Sequence, residues 1–138
     1  MNLEENSTTT KKLIKDDVET LFFDTYAFYK IYEGSESYKK YEDCTIVTTK
    51  LNLFEIYVVI LRNSGEGDAE EFFNNYYKFV RDFDENVIKN AAKLKLRLNK
   101  RDVSMTDCIG YSLAKQLEIK FLTGDKEFQD LENVEFVK

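Results

Sequence analysis

The chain has 138 residues, 43% of them hydrophobic and 33% charged, a balance suited to one globular domain with a proper core. It contains no histidine, which excludes in cis a Ser-His-Asp triad, a Cys-His pair, a His-ligated zinc and His-based proton transfer. Acidic residues outnumber basic ones by 26 to 20, and the resulting net charge of −6 argues against broad electrostatic attraction to nucleic acid while leaving room for a local basic face.

Cys44 and Cys108 match neither a disulfide framework nor metal-ligand spacing, and their apolar surroundings predict buried reduced thiols. No signal peptide and no membrane-spanning run is visible, so the protein is expected to be soluble and cytoplasmic, without a membrane partner. Residues 1–17 are polar and mixed in charge and are expected to form a tail, with a short helix around Leu13 and Ile14 as the alternative. The fold proper is expected over 18–138.

Leu21-Phe22-Phe23-Asp24 opens that fold. Three large apolar residues in a row predict a strand buried on both faces, and a carboxylate at its end predicts that the strand emerges there. An aromatic helix over Tyr26–Tyr32 follows, which Gly34 can close, and then a charged loop or short helix over Glu36–Asp43. Cys44–Thr49 reads as a β-branched strand with Thr48 or Thr49 as the next N-cap. Leu51–Arg62 is too long and too continuously apolar for a strand, so a buried helix is predicted, with Glu55 its lone charge between Leu53 and Leu61.

After the Asn63–Gly67 break a helix resumes from Asp68 to about Lys78, and Phe79–Phe83 reads as a short strand. Asp84 then caps a helix running to about Leu98, with Val87, Ala91, Leu94 and Leu98 on one side and Lys89, Lys93, Arg97 and Lys100 on the other. A second helix opens at Ser104 and runs to Gln116. Strands at Ile119–Leu122 and Val134–Val137 flank the turn Thr123-Gly124-Asp125. This alternation predicts an α/β fold: three layers around a mostly parallel sheet of four to five strands, with helices on both faces.

Four acidic residues stand where such a sheet gathers ligands. Asp24 and Asp125 follow the carboxyl ends of apolar strands, Asp107 lies in the first turn of a helix, and Glu55 sits on a buried one. Singly, most have a structural explanation. Asp24 could cap the helix after it, Asp107 completes a capping box with Ser104, and Asp125 could serve a turn. Glu55 would need a buried partner. Together the four need a counter-ion, since two carboxylates 4 Å apart repel by about 1 kcal/mol in water and about 4 kcal/mol at an effective dielectric near 20. Oxygen ligands select Mg2+ or Mn2+, and such a site suits phosphodiester hydrolysis without histidine. The basic stripe Lys89, Lys93, Arg97, Lys100 and Arg101 is the candidate for contact with a phosphate backbone, the alternative being a solvated helix face.

These pieces, in this order, resemble the PIN domain family, the nuclease fold of VapC-type toxins. The resemblance rests on Leu-Phe-Phe-Asp24-Thr-Tyr-Ala, the helical Glu55, Ser-Met-Thr-Asp107-Cys-Ile-Gly-Tyr-Ser-Leu-Ala and Phe-Leu-Thr-Gly-Asp125-Lys-Glu-Phe, and spans about Glu19 to Lys138. It implies a metal-dependent endoribonuclease with Asp24, Glu55, Asp107 and Asp125 as catalytic and metal-binding residues and Thr123 as a supporting hydroxyl. It also implies a homodimer; a toxin role with a cognate antitoxin, as in a VapBC-type pair, is a separate reading that the resemblance does not itself imply. A non-catalytic PIN-like module that binds RNA or protein is the alternative. A response-regulator receiver is disfavoured because Asp24 has no adjacent acid. Two departures stand out: the polar N-terminal extension, and Gly110, expected to weaken its helix slightly.

Overall fold

The computed structural model describes residues 18–138; the polar tail expected over 1–17, with its helical alternative at Leu13 and Ile14, lies outside the described residues. In chain order the elements are β1 (Thr20–Phe23), α1 (Thr25–Tyr32), a 3₁₀ segment (Glu36–Asp43), β2 (Thr45–Val47), α2 (Lys50–Ser64), α3 (Glu66–Tyr76), α4 (Glu85–Arg97), α5 (Met105–Gln116), β3 (Lys120–Thr123) and β4 (Val134–Phe136). The four strands form one parallel sheet in the order β2-β1-β3-β4, with helices on both faces. The three-layer α/β expectation holds.

β1 is central because its side chains can be satisfied only by burial on both sides. Leu21, Phe22 and Phe23 are all fully buried, and their alternation splits them between two cores. Phe22 pairs in register with Phe121 of β3, their rings stacked at 5.6 Å, and both face α4 and α5. Leu21, Phe23, Ile46 and Leu122 face α1, α2 and α3. Each fully buried Phe or Leu contributes roughly 1.5–3 kcal/mol of transfer free energy.

The chain leaves β1 towards β2 on one side and returns to β3 on the other, so its order reverses between β1 and β3. At the carboxyl ends of strands flanking such a reversal, the connecting segments part and leave a crevice. Asp24 follows β1 and the Thr123-Gly124-Asp125 turn follows β3, so the topology brings both to that crevice.

Local chemistry sets several helix starts as expected. Thr49 is the N-cap of α2, its hydroxyl accepting the Asn52 amide at 3.2 Å, and Asp84 caps α4 by accepting the Val87 amide at 3.1 Å. On α4, Val87, Ala91 and Leu94 are buried while Lys89, Lys93 and Arg97 are exposed. Both cysteines are free: Cys108 is buried, Cys44 only half-buried, and burial pushes the Cys44 thiol up to about 11.

Three expectations need correction. Phe79–Phe83 is not a strand: a 3₁₀ turn spans Tyr77–Phe79, and a single bridge joins Val80 to Thr48 beyond the end of β2. Phe79 and Val80 pack against the core under α1, α2 and α3, and Phe83 against the core under α4 and α5, instead of extending the ladder. Helix α2 is not buried all round, because Phe54 is 68% exposed and Val58 and Leu61 also face outward. Gly110 is not a weak point chosen at random. A Cβ there would lie 2.8 Å from the Phe22 ring, so glycine is what lets α5 lie against β1.

Candidate active site at the carboxyl edge of the sheet

Asp24 occupies the N-cap position of α1 in extended conformation, yet its side chain makes no cap hydrogen bond. The turn is held by backbone instead, with the Asp24 carbonyl accepting the Phe28 amide at 3.2 Å and the Asp24 amide donating to Leu122 O at 3.2 Å. The carboxylate is therefore free of the structural duty that would explain it. It is 2% exposed; Oδ2 accepts a hydrogen bond from the Thr123 hydroxyl at 2.7 Å, and Oδ1 is buried with no partner. Burial first, and then the charge of Asp107, push the Asp24 carboxyl well above its usual range.

Asp125 is placed by a tight turn. A Cβ at Gly124 would come within 2.3 Å of the Val137 carbonyl oxygen and 2.4 Å of the Tyr26 ring, so no side chain fits between Thr123 and Asp125. The Thr123 hydroxyl accepts the Asp125 amide at 3.1 Å while donating to Asp24, and thereby ties the two strand ends together. Asp125 Oδ1 accepts the Glu127 amide at 3.0 Å and caps the short 3₁₀ turn Lys126–Phe128.

Asp107 is the third residue of α5 and does form the capping box: its Oδ2 accepts the Ser104 amide at 2.9 Å, and the Ser104 hydroxyl accepts the Asp107 amide at 3.0 Å. Capping alone would lower its pKa. Burial outweighs those bonds, the charges of Asp125 and Glu55 add to the effect, and the carboxyl is pushed up to about 6.

Glu55 is half-buried, and Oε1 accepts a hydrogen bond from the Thr25 hydroxyl at 2.7 Å. Sequence reasoning missed what stands behind this contact. Asn52 is fully buried one turn before Glu55; its Nδ2 donates to Thr25 Oγ1 at 3.0 Å and its Oδ1 accepts from Thr49 Oγ1 at 2.7 Å. A polar relay thus runs from the N-cap of α2, through Asn52 and the first residue of α1, to Glu55. The available signal was spacing, since residues three apart share a helix face.

The fold brings all four acids to the same edge: Asp24 feels the charges of Asp107 and Asp125, and Asp107 those of Asp125 and Glu55. Among the described residues none of the four has a Lys or Arg at ion-pair distance, and no three acidic groups close into a ready-made metal cage. Like charges without a cation between them favour separation, and each of the three outer acids settles on a local donor. The donor set nevertheless fits a hard divalent ion, which takes oxygen ligands, and Asp24 Oδ1 is a buried carboxylate oxygen that no hydrogen bond occupies.

The basic stripe does not stay whole. Lys89 pairs with Glu85 at 3.4 Å, and Arg101 makes a two-bond ion pair with Asp130 at 2.8 and 3.0 Å while also bonding Glu127 O. Lys93, Arg97 and Lys100 remain exposed, without an ion pair among the described residues.

The family model for the PIN domain matches residues 21–134. No curated protein sequence matches the chain. Among solved structures, the Mycobacterium tuberculosis VapC20 toxin, described as cleaving the sarcin-ricin loop, is 17% identical, with a TM-score of 0.70 over 86% of this chain and 99% of that one. A toxin-antitoxin complex from Klebsiella pneumoniae is 15% identical, with a TM-score of 0.68 over 83% of this chain and 95% of that chain. VapBC2 from Rickettsia felis, bound to a fragment of promoter DNA, is 15% identical, with a TM-score of 0.65 over 86% and 97%. At these identities the likeness is one of fold.

Proposed function

The chain belongs to the PIN domain family, and on that premise we propose that it is a metal-dependent endoribonuclease, the toxin of a VapBC-type pair. The observation that carries the reading is the Asp24 carboxylate: buried, one oxygen unpartnered, and set among Asp107 and Asp125 with no cationic side chain beside it. A purely structural aspartate would cap or pair.

Asp24, Asp107 and Asp125 would hold Mg2+ or Mn2+ most directly, with Glu55 completing the set. The bound ion supplies a water of lowered pKa and charge stabilisation at the phosphoryl oxygens. The protein's own residues do the positioning. Thr123 fixes Asp24 through Oδ2, which leaves Oδ1 without a hydrogen-bond partner and available to a cation. Glu55, held through Oε1 by Thr25 and behind it Asn52, keeps its second oxygen to orient the attacking water. The raised pKa of Asp107 gives this edge a group that can carry a proton near neutrality when no cation is present.

The partner reading has a surface to work with. The exposed apolar face of α2 continues into a groove of about 480 Å³, lined by Phe54, Tyr57, Phe73 and Tyr77, which suits an apolar segment of an antitoxin. No helix among the described residues is long and apolar enough to cross a membrane.

The test is cleavage of a panel of structured RNAs with Mg2+ or Mn2+, with and without chelator, by wild type and Asp24→Asn. Cation-dependent cleavage lost in the variant is expected. Cleavage at equal rates in both proteins would overturn the site, and cleavage by neither would favour the non-catalytic binding module.

A further inference from the structure

Helices α4 and α5 form an antiparallel pair, and between them lies a groove of about 420 Å³ that the four acids do not reach. Lys93 and Arg97 stand on one wall with the amide of Asn90, Lys115 on the other with the amide of Gln116, and no carboxylate lines it. In a chain of net charge −6 this concentration of cations is out of keeping with the average surface.

The spacing along α4 makes the point sharper. Lys89, Lys93 and Arg97 follow one another at steps of four, which places like charges on neighbouring turns and works against the helix, and Arg101 follows in the turn beyond its end. The chain relieves the two ends: Glu85 pairs with Lys89, and Asp130 pairs with Arg101. It leaves Lys93 and Arg97, the two that face the groove, without an ion pair among the described residues. Lys115 does hold Glu132, at 2.6 Å, and Arg97 is near enough to help keep the Glu132 carboxyl below its usual range. That contact offsets one of three charges and leaves the groove basic.

We infer that this groove binds the sugar-phosphate backbone of single-stranded RNA, through Lys93, Arg97 and Lys115, outside the stretch held by the acids. The inference rests on the ribonuclease reading for its choice of ligand. A groove with cations on both walls and a neutral amide beside them on each suits a chain of phosphates. The position is also right. Asp107 and Lys115 are eight residues apart on α5, about 12 Å along the helix, so a strand seated at the acids has its flanking phosphates within reach of the groove. The sequence stripe already contained Lys93 and Arg97; the groove adds Lys115 from the other helix, and Arg101 is tied to Asp130.

The test separates binding from cleavage. In an Asp24→Asn background, the affinity for a fluorescein-labelled single-stranded RNA is measured across salt concentrations, with and without Lys93→Ala and Arg97→Ala together. The double substitution is expected to weaken binding by about tenfold or more and to flatten the salt slope by about 1.4, two contacts at roughly 0.7 each. Lys93→Arg with Arg97→Lys, which keeps the charge, should restore both. Unchanged affinity and slope in the double variant, or no binding by its parent, would overturn the groove while leaving the cleavage assay to decide the nuclease reading. Loss of binding in the double variant together with no cleavage by the wild type would uphold the groove and defeat the nuclease.

Discussion

Two acidic regions of this molecule follow opposite rules. In the closing segment each exposed carboxylate is given a cation: Asp130 takes Arg101 through two hydrogen bonds, and Glu132 takes Lys115. At the carboxyl edge of the sheet Asp24 is buried, and neither it nor Asp107, Asp125 or Glu55 has a cationic side chain at ion-pair distance among the described residues. The chain therefore has the means to neutralise acids and withholds it where they would be most costly. The pKa directions record the same contrast, upward for Asp24 and Asp107 and downward for Asp130 and Glu132. A region that is destabilised by its own charges is organised for something other than stability.

The strongest way to sharpen that contrast is to remove one edge acid. Asp24→Asn should lower metal-dependent RNA cleavage by about 10³-fold or more, as expected when several kcal/mol of transition-state stabilisation depend on a ligand, each tenfold costing about 1.4 kcal/mol. Cleavage kinetics under saturating Mn2+ read this directly.

Removing the support behind Glu55 should have a smaller effect. Asn52→Ala breaks the relay between Thr49 and Thr25 and is expected to cost about 10–100-fold in activity or metal affinity, the usual range for an outer partner. Asn52→Ala with metal-free stability unchanged and full Mn2+ affinity would remove the relay from the account.

pH divides the two regions in sign. A carboxyl whose pKa is raised in the folded state holds its proton more tightly there, so stability is greatest below the unfolded value and falls as pH rises through the folded one. For Asp107 that window runs from about 3.8 to about 6, and Asp24 acts in the same sense. Asp130 and Glu132, lowered by their partners, act oppositely and lose their contribution as the pH falls below the usual carboxylate range. Metal-free melting curves between pH 4 and pH 7 should thus show stability declining with pH, and the decline should shrink in Asp24→Asn.

The smallest effect should come from the other region. Arg101→Ala is expected to leave cleavage unchanged and to shift thermal stability only slightly, as an ion pair open to solvent is worth little. A marked loss of RNA affinity on this change would return Arg101 to the binding surface.

Much of this was legible in the sequence because the signals were local. Leu21-Phe22-Phe23-Asp24 announced a buried strand ending on an acid, Ser104 and Asp107 announced their capping box, and Asp84 announced its helix. What was not legible depends on non-local packing. Phe79–Phe83 has the residues of a strand but meets the sheet only through Val80, beyond the end of β2, where no ladder can continue. Phe54 looked like core because it is apolar, and only the packing of α2 shows that it faces out. Asn52 takes its role only from Thr25, which the fold brings against it from another helix. Gly110 looked like a weakness until Phe22 appeared above it.

The central claim is that the unpartnered charge of Asp24 is kept for a divalent cation, and thermal unfolding with and without Mn2+ tests it most directly. Without metal, and at a pH high enough to ionise Asp24, Asp24→Asn should melt a few degrees above the wild type, because it replaces a buried charge that has no cationic partner with a neutral group of the same shape. Added Mn2+ should then raise the wild-type midpoint and leave the variant nearly unmoved. A wild-type midpoint indifferent to Mn2+, or a variant that melts below the wild type without metal, would contradict the account.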